Sequence, residues 1–247
     1  MIASLCLSYN SVLSTKCNYQ YLNTHFYGRV YGCTIDELKI TNPNEIIPRF
    51  NEILDSGKSK QSVEFVFINK QFTSHLPVGL SKTFPNIRIL LVHKSQLEFL
   101  QKNDFRDLIQ LKALSLHDNK IEFITEDVFE DLYNLEALSL AHNNLKILLQ
   151  NTFQHLPNLK RISLNNNHLK KIDSALFKNN TMLEMIALHN NELNKIGPNL
   201  MNSLSNLKEV WLINNKCINE HFPNTTSLQK LIIKIKQKCY GRRERVN

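Results

Sequence analysis

Asparagine recurs at positions 119, 143, 167, 191 and 215, a step of 24 residues each time. The same apolar frame surrounds each one. Leu111, Leu114 and Leu116 precede Asn119 and Ile121 and Ile124 follow it; Leu135, Leu138 and Leu140 precede Asn143 and Leu145 and Leu148 follow. A fixed period of this length marks stacked supersecondary units, each too small to bury its own apolar edge and each dependent on its neighbours for a core. Stepping backwards, Ile87, Leu90, Val92, Leu97 and Leu100 keep the phase with Ser95 in place of Asn, and Val63, Val66, Ile68 and Leu76 keep it with Gln71. Forwards it runs through Leu183, Ile186, Leu188 and Leu193 to Leu207, Val210 and Leu212. About seven coils therefore span residues 63 to 215. Two more columns share the register: Phe105, Phe129, Phe153, Phe177 and Met201, and Phe84, Leu108, Leu132, Leu156, Asn180 and Leu204.

The frame L-x-x-L-x-L-x-x-N-x-L is that of a leucine-rich repeat. It predicts an α/β solenoid, a horseshoe of about seven 24-residue repeats closed by caps. Each L-x-L pair sits on a short strand, leucines inward and intervening residues outward. The asparagine follows the strand, where its amide supplies a donor and an acceptor to backbone groups that have lost sheet partners. Ser95 and Gln71 are expected to weaken that ladder, and Asn180 to loosen the convex back.

Five cysteines lie outside the repeats, at 6, 17, 33, 217 and 239. The uncharged start, with Ile2-Ala3-Ser4-Leu5-Cys6-Leu7 and small residues up to Ser14, fits a signal peptide over residues 1–14. Its removal leaves an even set, two before and two after the repeats, as disulfide-locked caps in an oxidising compartment require. Seven coils at about 4.8 Å per strand hold the two ends roughly 30 Å apart. A disulfide needs Cα atoms within about 7 Å, so the pairs are Cys17–Cys33 and Cys217–Cys239. The sequons at Asn179 and Asn224 are candidate glycosylation sites. No apolar run is long enough to span a membrane. The expected location is secreted and extracellular.

The organisation then reads as leader 1–14, N-terminal cap 15–62, repeats 63–214, and C-terminal cap with a basic tail 215–247. Lys16-Cys17-Asn18-Tyr19 and Val30-Tyr31-Gly32-Cys33-Thr34-Ile35 look like two short strands of a hairpin, and Ser227 to Lys238 like a short helix over the last coil. A net +8 is concentrated at the end: Lys230, Lys234, Lys236, Lys238, Arg242, Arg243 and Arg245 face only Glu244. This tail is a candidate contact for acidic polysaccharide or an anionic surface; nucleic acid is not an expected partner.

The residues argue against catalysis and against a cofactor. Six glycines leave little for phosphate-cradling loops, and Gly57-Lys58-Ser59 lacks the first glycine of a P-loop, Glu52 standing there. H-E-x-x-H and G-x-S-x-G are absent. The default binding face is instead the concave sheet. Its outward columns give the candidate partner-binding residues Phe65, Phe67, Leu91, His93, His117, Arg161, Asn165, Met185, His189, Glu209 and Trp211. Small residues occupy the middle coils and aromatics the ends, which suits a protein partner held between aromatic anchors. His93 and His117 fall on adjacent strands, without a nearby third ligand that would make a metal site.

The repeats, paired-cysteine caps and leader together resemble secreted extracellular leucine-rich repeat proteins of the Toll-ectodomain type, and more narrowly the small secreted repeat proteins of flies and mosquitoes. The stretches Cys17-Asn18-Tyr19 to Tyr31-Gly32-Cys33, Leu38-Lys39-Ile40-Thr41-Asn42-Pro43 and Asn215-Lys216-Cys217-Ile218 carry the likeness at the caps. The resemblance implies a recognition or adaptor role in innate immunity, through an extracellular protein, glycan or microbial surface ligand. A matrix or developmental ligand-binding protein and a soluble receptor-ectodomain fragment are the other readings.

Overall fold

A computed structural model describes residues 15–24, 27–36, 38, 40, 46–47, 50–51, 54–223 and 228–240. The expected leader with Cys6, the sequon asparagine Asn224, and Arg242, Arg243 and Arg245 lie outside the described residues.

Two strands, β1 (Thr15–Thr24) and β2 (Gly28–Asp36), form an antiparallel hairpin, and the short β3 (Phe50–Asn51) runs beside β1. The hairpin strands are longer than the two short ones the sequence suggested. The repeats follow, each contributing one concave strand: β4 (Phe65–Asn69), β5 (Ile89–His93), β6 (Ala113–Ser115), β7 (Ala137–Ser139) and β8 (Arg161–Ser163). After β8, the small flank strands β9 (Lys171–Ile172) and β11 (Lys195–Ile196) alternate with the concave strands β10 (Met185–Ala187) and β12 (Glu209–Trp211). An antiparallel strand, β13 (His221–Phe222), closes the sheet. Its order is β13-β12-β10-β8-β7-β6-β5-β4-β2-β1-β3, with β11-β9 a separate pair. Seven repeat strands pair in strict 24-residue register, for example Leu114 with Leu138, and bound six complete turns. The chain is a leucine-rich repeat solenoid.

The central residue of each three-residue strand points inward and is buried, as Leu114, Leu138 and Ile162 are. The back is held by a phenylalanine stack: Phe105, Phe129, Phe153 and Phe177 lie with ring centroids 5.9, 6.2 and 5.9 Å apart. Offset stacking at this spacing adds to the area each ring buries. The convex legs are mostly turns, with a short α-helix, α1 (Leu80–Thr83), and a 3-10 turn at Lys102–Phe105, so local helix propensity contributes little. Asn180 does not loosen the back. It is fully buried, and its Nδ2 donates to the carbonyls of Phe153 and Leu156 at 2.9 and 2.8 Å.

The asparagine ladder is continuous. Asn143 Oδ1 accepts from Ile121 N at 3.0 Å, and its Nδ2 donates to Leu116 O and Leu140 O at 2.9 and 3.1 Å. Asn119, Asn167, Asn191 and Asn215 repeat the pattern. At the N-terminal end Gln71 Oε1 accepts from Leu38 N at 2.8 Å and so ties the first coil to the cap, while Ser95 makes fewer bonds than an asparagine rung. Ser95 Oγ donates to His93 O at 2.8 Å. The residue before each ladder position, from Lys70 and Lys94 through Asp118 and His142 to Asn166, Asn190 and Asn214, holds φ between 51° and 56°. Asn, Asp and His tolerate that left-handed turn best, which accounts for the residue types at most of those positions.

Both expected disulfides are present, Cys17–Cys33 with Cα atoms 5.4 Å apart and Cys217–Cys239 at 5.1 Å. Helix α2 (Leu228–Ile235) and a following π turn lay Leu231, Ile235 and Cys239 onto the last coil. Among the described residues no helix is long and apolar enough to cross a membrane.

Candidate concave recognition surface

The expected outward columns lie on the concave sheet, but the two caps change what is open. The β1–β2 hairpin leans over the first coils, and Leu22, Tyr27 and Val30 pack on Phe65, Phe67, Ile89, Leu91 and Ala113. Phe65 is only 2% exposed, so the expectation that it is an outward anchor is corrected. It is part of a small second core. Tyr27 Oη donates to Lys112 O at 3.4 Å, and the Arg88 guanidinium sits 5.9 Å over its ring. Burial first, and Glu136 second, push the Tyr27 hydroxyl above its usual range. Phe67 and Leu91 remain half-buried at the border of this cover, Phe67 with its ring 5.4 Å from His93.

At the other end Trp211 is half-buried and stacks on His221 with centroids 3.7 Å apart, while His189 lies 5.8 Å away. His221 Nε2 also reaches Glu209 Oε1 at 3.1 Å, so Glu209 and Trp211 both engage the closing strand β13. Between these ends the floor is low: Ser115, Ala137, Ser139 and Ser163 stand beside the larger Arg161 and Met185, while Ala113 lies under the hairpin and Ala187 is buried. Asn165 and His189 stand half-buried beyond them.

His93 and His117 do come together, with ring centroids 5.6 Å apart, and His93 shares a 2.8 Å hydrogen bond with Ser115 Oγ. A third ring, His142, joins His117 at 4.7 Å, and Asp118 lies 3.0 Å from His117 and 3.6 Å from His142. The row continues through Asn166, Asn190 and Asn214, whose amides bond one to the next at 2.9 and 2.7 Å after Asn166 meets His142 at 3.0 Å. His142 and the asparagines escaped the strand-column reading because they belong to the left-handed column just past the strand. Their 24-residue step was the available signal. Burial lowers the pKa of His93, His117 and His189, His93 being lowered further by His117. Among the described residues no group of three or more His, Cys, Asp or Glu is placed to hold a metal ion.

Two open depressions flank the sheet, about 360 Å³ beside Glu64 and Arg88 and about 270 Å³ beside Lys94, Asp118 and His142. Neither lies on the low floor. Asn179 is exposed, its Nδ2 donating to Gln154 O at 3.3 Å. In the C-terminal cap Lys234 and Lys238 both pair with Glu220, so part of the positive charge read from the tail is neutralised within the cap.

A profile of the family described as "Leucine rich repeat" matches residues 85–145, 109–169 and 157–216, together more than half of the chain. Comparison with curated proteins gives no significant match to the sequence. Among solved structures, the leucine-rich repeat domain of APL1 superimposes with a TM-score of 0.66 at 20% identity, over 82% of this chain and 48% of that one. The glycosylated Toll–Spätzle complex, described as a hub in Drosophila development and innate immunity, gives 0.59 at 26% identity, over 63% of this chain and 21% of that one. A TLR13–ssRNA13 complex gives 0.51 at 22% identity, over 62% and 25%. The chain thus spans about half the length of the APL1 structure and about a fifth of the Toll-complex chain it matches. With its matched repeats, ladder and concave sheet, the chain belongs to the leucine-rich repeat family.

Proposed function

We propose that this chain is a secreted recognition or adaptor protein of the insect innate-immune type, and that it holds an extracellular protein partner against its concave face. The observation that carries the reading is the low floor of Ser115, Ala137, Ser139 and Ser163, left open between the hairpin over Phe65 and the Trp211–His221 stack. A flat strip of small side chains without an enclosed cavity accepts a protein edge or strand; small-molecule sites are concave and largely enclose their ligand. Phe67 and Trp211 border the strip as aromatic anchors, with His93, His117, Arg161, Asn165, Met185, His189 and Glu209 supplying polar and adaptable contacts. The disulfides support an oxidising compartment. The likeness to a Toll chain whose complex is described as a hub in development and innate immunity supports the immune reading.

The test is affinity capture from extracellular fluid. Ser139→Arg with Ser163→Arg fills the floor without touching the core and is expected to abolish capture of the wild-type partner; Trp211→Ala is expected to weaken it about tenfold. Equal recovery by all three baits moves the site off the concave face. Expression of the full sequence in insect cells checks secretion: the product is expected in the medium, cleaved after Ser14 and carrying a glycan on Asn179. Transcript levels rising after microbial challenge fit the immune role, whereas constant levels in cuticle or epithelium assign the protein to matrix or development. Truncation of residues 241–247 is expected to lower retention on heparin, and unchanged elution removes the tail as an acidic-glycan contact.

A further inference from the structure

The flank on which each coil leaves its ladder asparagine carries another 24-residue column: His75, Phe99, Phe123, Ile147, Lys171 and Lys195. The repeat frame does not need apolar residues here, because Leu97 and Leu100, Ile121 and Ile124, and Leu145 and Leu148 already fill the core on either side. Phe99, Phe123 and Ile147 are nevertheless 56%, 48% and 59% exposed, on three successive coils. Single exposed apolar residues are ordinary, but an aligned row is the kind of patch that marks an interaction surface.

The charges beside the row are sorted by position. Glu98 accompanies Phe99, while Glu122 beside Phe123 is paired with Lys146 beside Ile147 at 3.1 Å and leaves the middle neutral. Two coils further on, Lys171 and Lys195 stand side by side in register on the β9–β11 pair, and neither has an ion pair among the described residues. The row is therefore acidic and aromatic at one end, apolar in the middle and basic at the other. Turned end for end, it is complementary to itself. Because both copies share one coil spacing, a two-fold axis between Phe123 and Ile147 sets Phe123 against Ile147 of the second copy. The same axis brings Lys171 over Phe99 and Lys195 over His75, within reach of Glu98.

We infer that this flank is the contact face of a two-fold dimer of this chain. Isologous pairing uses one patch on both subunits, and the lysines gain both carboxylate and aromatic-face partners. A lipid surface fits less well, since Glu98 and Glu122 lie among the aromatic residues that would have to enter it. The row is narrow against the roughly 800 Å² per partner of a stable interface, so the dimer is a weak, concentration-dependent one. It leaves the concave face open.

Sedimentation velocity of the full chain over a concentration series tests this. The wild type is expected to shift from monomer to dimer, and Phe123→Asp to stay monomeric. Lys171→Glu with Lys195→Glu, and separately Glu98→Lys, are each expected to be monomeric; their equimolar mixture is expected to dimerise, because the two ends of the row then join opposite charges. Unchanged thermal melting of the variants shows that the fold is kept. A wild type that is monomeric throughout overturns the proposal, as do variants that associate like the wild type or a mixture that stays monomeric. Wild-type monomer that co-sediments with phosphatidylserine vesicles assigns the flank to lipid instead.

Discussion

Asn143 illustrates how one side chain serves two coils. Its carboxamide accepts from Ile121 N and donates to Leu116 O in the preceding coil, and also donates to Leu140 O in its own. Alanine there leaves the buried Ile121 N without its acceptor, at a cost of about 1–3 kcal/mol, and takes one of two donors from Leu116 O and Leu140 O, which keep Asn119 and Asn167. Asn143→Ala is expected to lower stability by about 1–3 kcal/mol, seen as a fall in the urea midpoint; a loss below about 1 kcal/mol means that water replaces the amide. Asp104 is the opposite case. It stands in the buried column of Leu80, Val128, Thr152, Leu176 and Leu200, is 3% exposed, and burial raises its pKa from 3.8 to about 7. The folded chain keeps the proton that the unfolded chain releases above 3.8, so stability falls as pH rises from about 4 to about 7 and the cost is full above 7. Asp104→Asn keeps an acceptor for Gln101 N, which lies 2.8 Å from the carboxylate, and removes the charge. It is expected to stabilise the protein at pH 8, by up to about 4 kcal/mol, and to change little at pH 4. Urea melts at the two pH values check it, and equal effects at both contradict the burial argument. The 24-residue period alone places Asp104 inside, so its burial can be read from the sequence.

At the scale of elements, the repeats and the caps differed in how much their residues disclosed. Strand phase, ladder and phenylalanine stack follow from a period that fixes every inward position. The β1–β2 hairpin has no such period. Its cysteines gave its pairing, but its reach over Phe65 follows from a parallel β2–β4 pairing, Gly32 opposite Phe65, that the 24-residue period does not contain. Gly32 is where that contact becomes specific. A Cβ there would lie 2.6 Å from Phe65 O and 2.7 Å from Phe65 Cβ, closer than a strand can accept without moving. Gly32→Ala is therefore expected to lift the hairpin, expose Phe65 and Ile89, and cost about 1–3 kcal/mol, as overpacking does. Hydrogen exchange should accelerate in β1 and β2, while β7 and β8 keep their protection. Unchanged exchange in the hairpin shows that the sheet absorbs the methyl group. The flanks, by contrast, hold alternating ion pairs between coils, Arg88 with Glu64 at 2.7 Å, Lys160 with Glu136 and Lys208 with Glu184 at 2.9 Å. These pairs are partly exposed, worth at most about 1 kcal/mol each, and serve register more than stability.

A stacked array transmits stability from neighbour to neighbour, so the whole molecule is only as cooperative as its interfaces between coils. The C-terminal end depends on a loop of 22 residues closed by Cys217–Cys239, which ties α2 to the last coil through Leu231 and Ile235. On the loop-entropy model such a crosslink contributes about 3 kcal/mol. Replacing both cysteines by serine removes it without altering the repeat frame. In a nearest-neighbour array the loss falls on the elements that the cap covers. Hydrogen exchange in the double variant is then expected to rise in β12, β13 and α2, decline through β10, and leave β5 to β7 as in the wild type. The concave floor at Ser115 and Ser139 should survive, and with it partner capture, while the wall formed by Trp211 and His221 loosens. Uniform acceleration from β4 to β12 contradicts the local picture, because the solenoid would then open as one cooperative unit. Measured beside Asn143→Ala, whose site lies mid-array, the double variant separates the two cases: damage in the middle must weaken coils on both sides, whereas damage at the cap has coils on one side only.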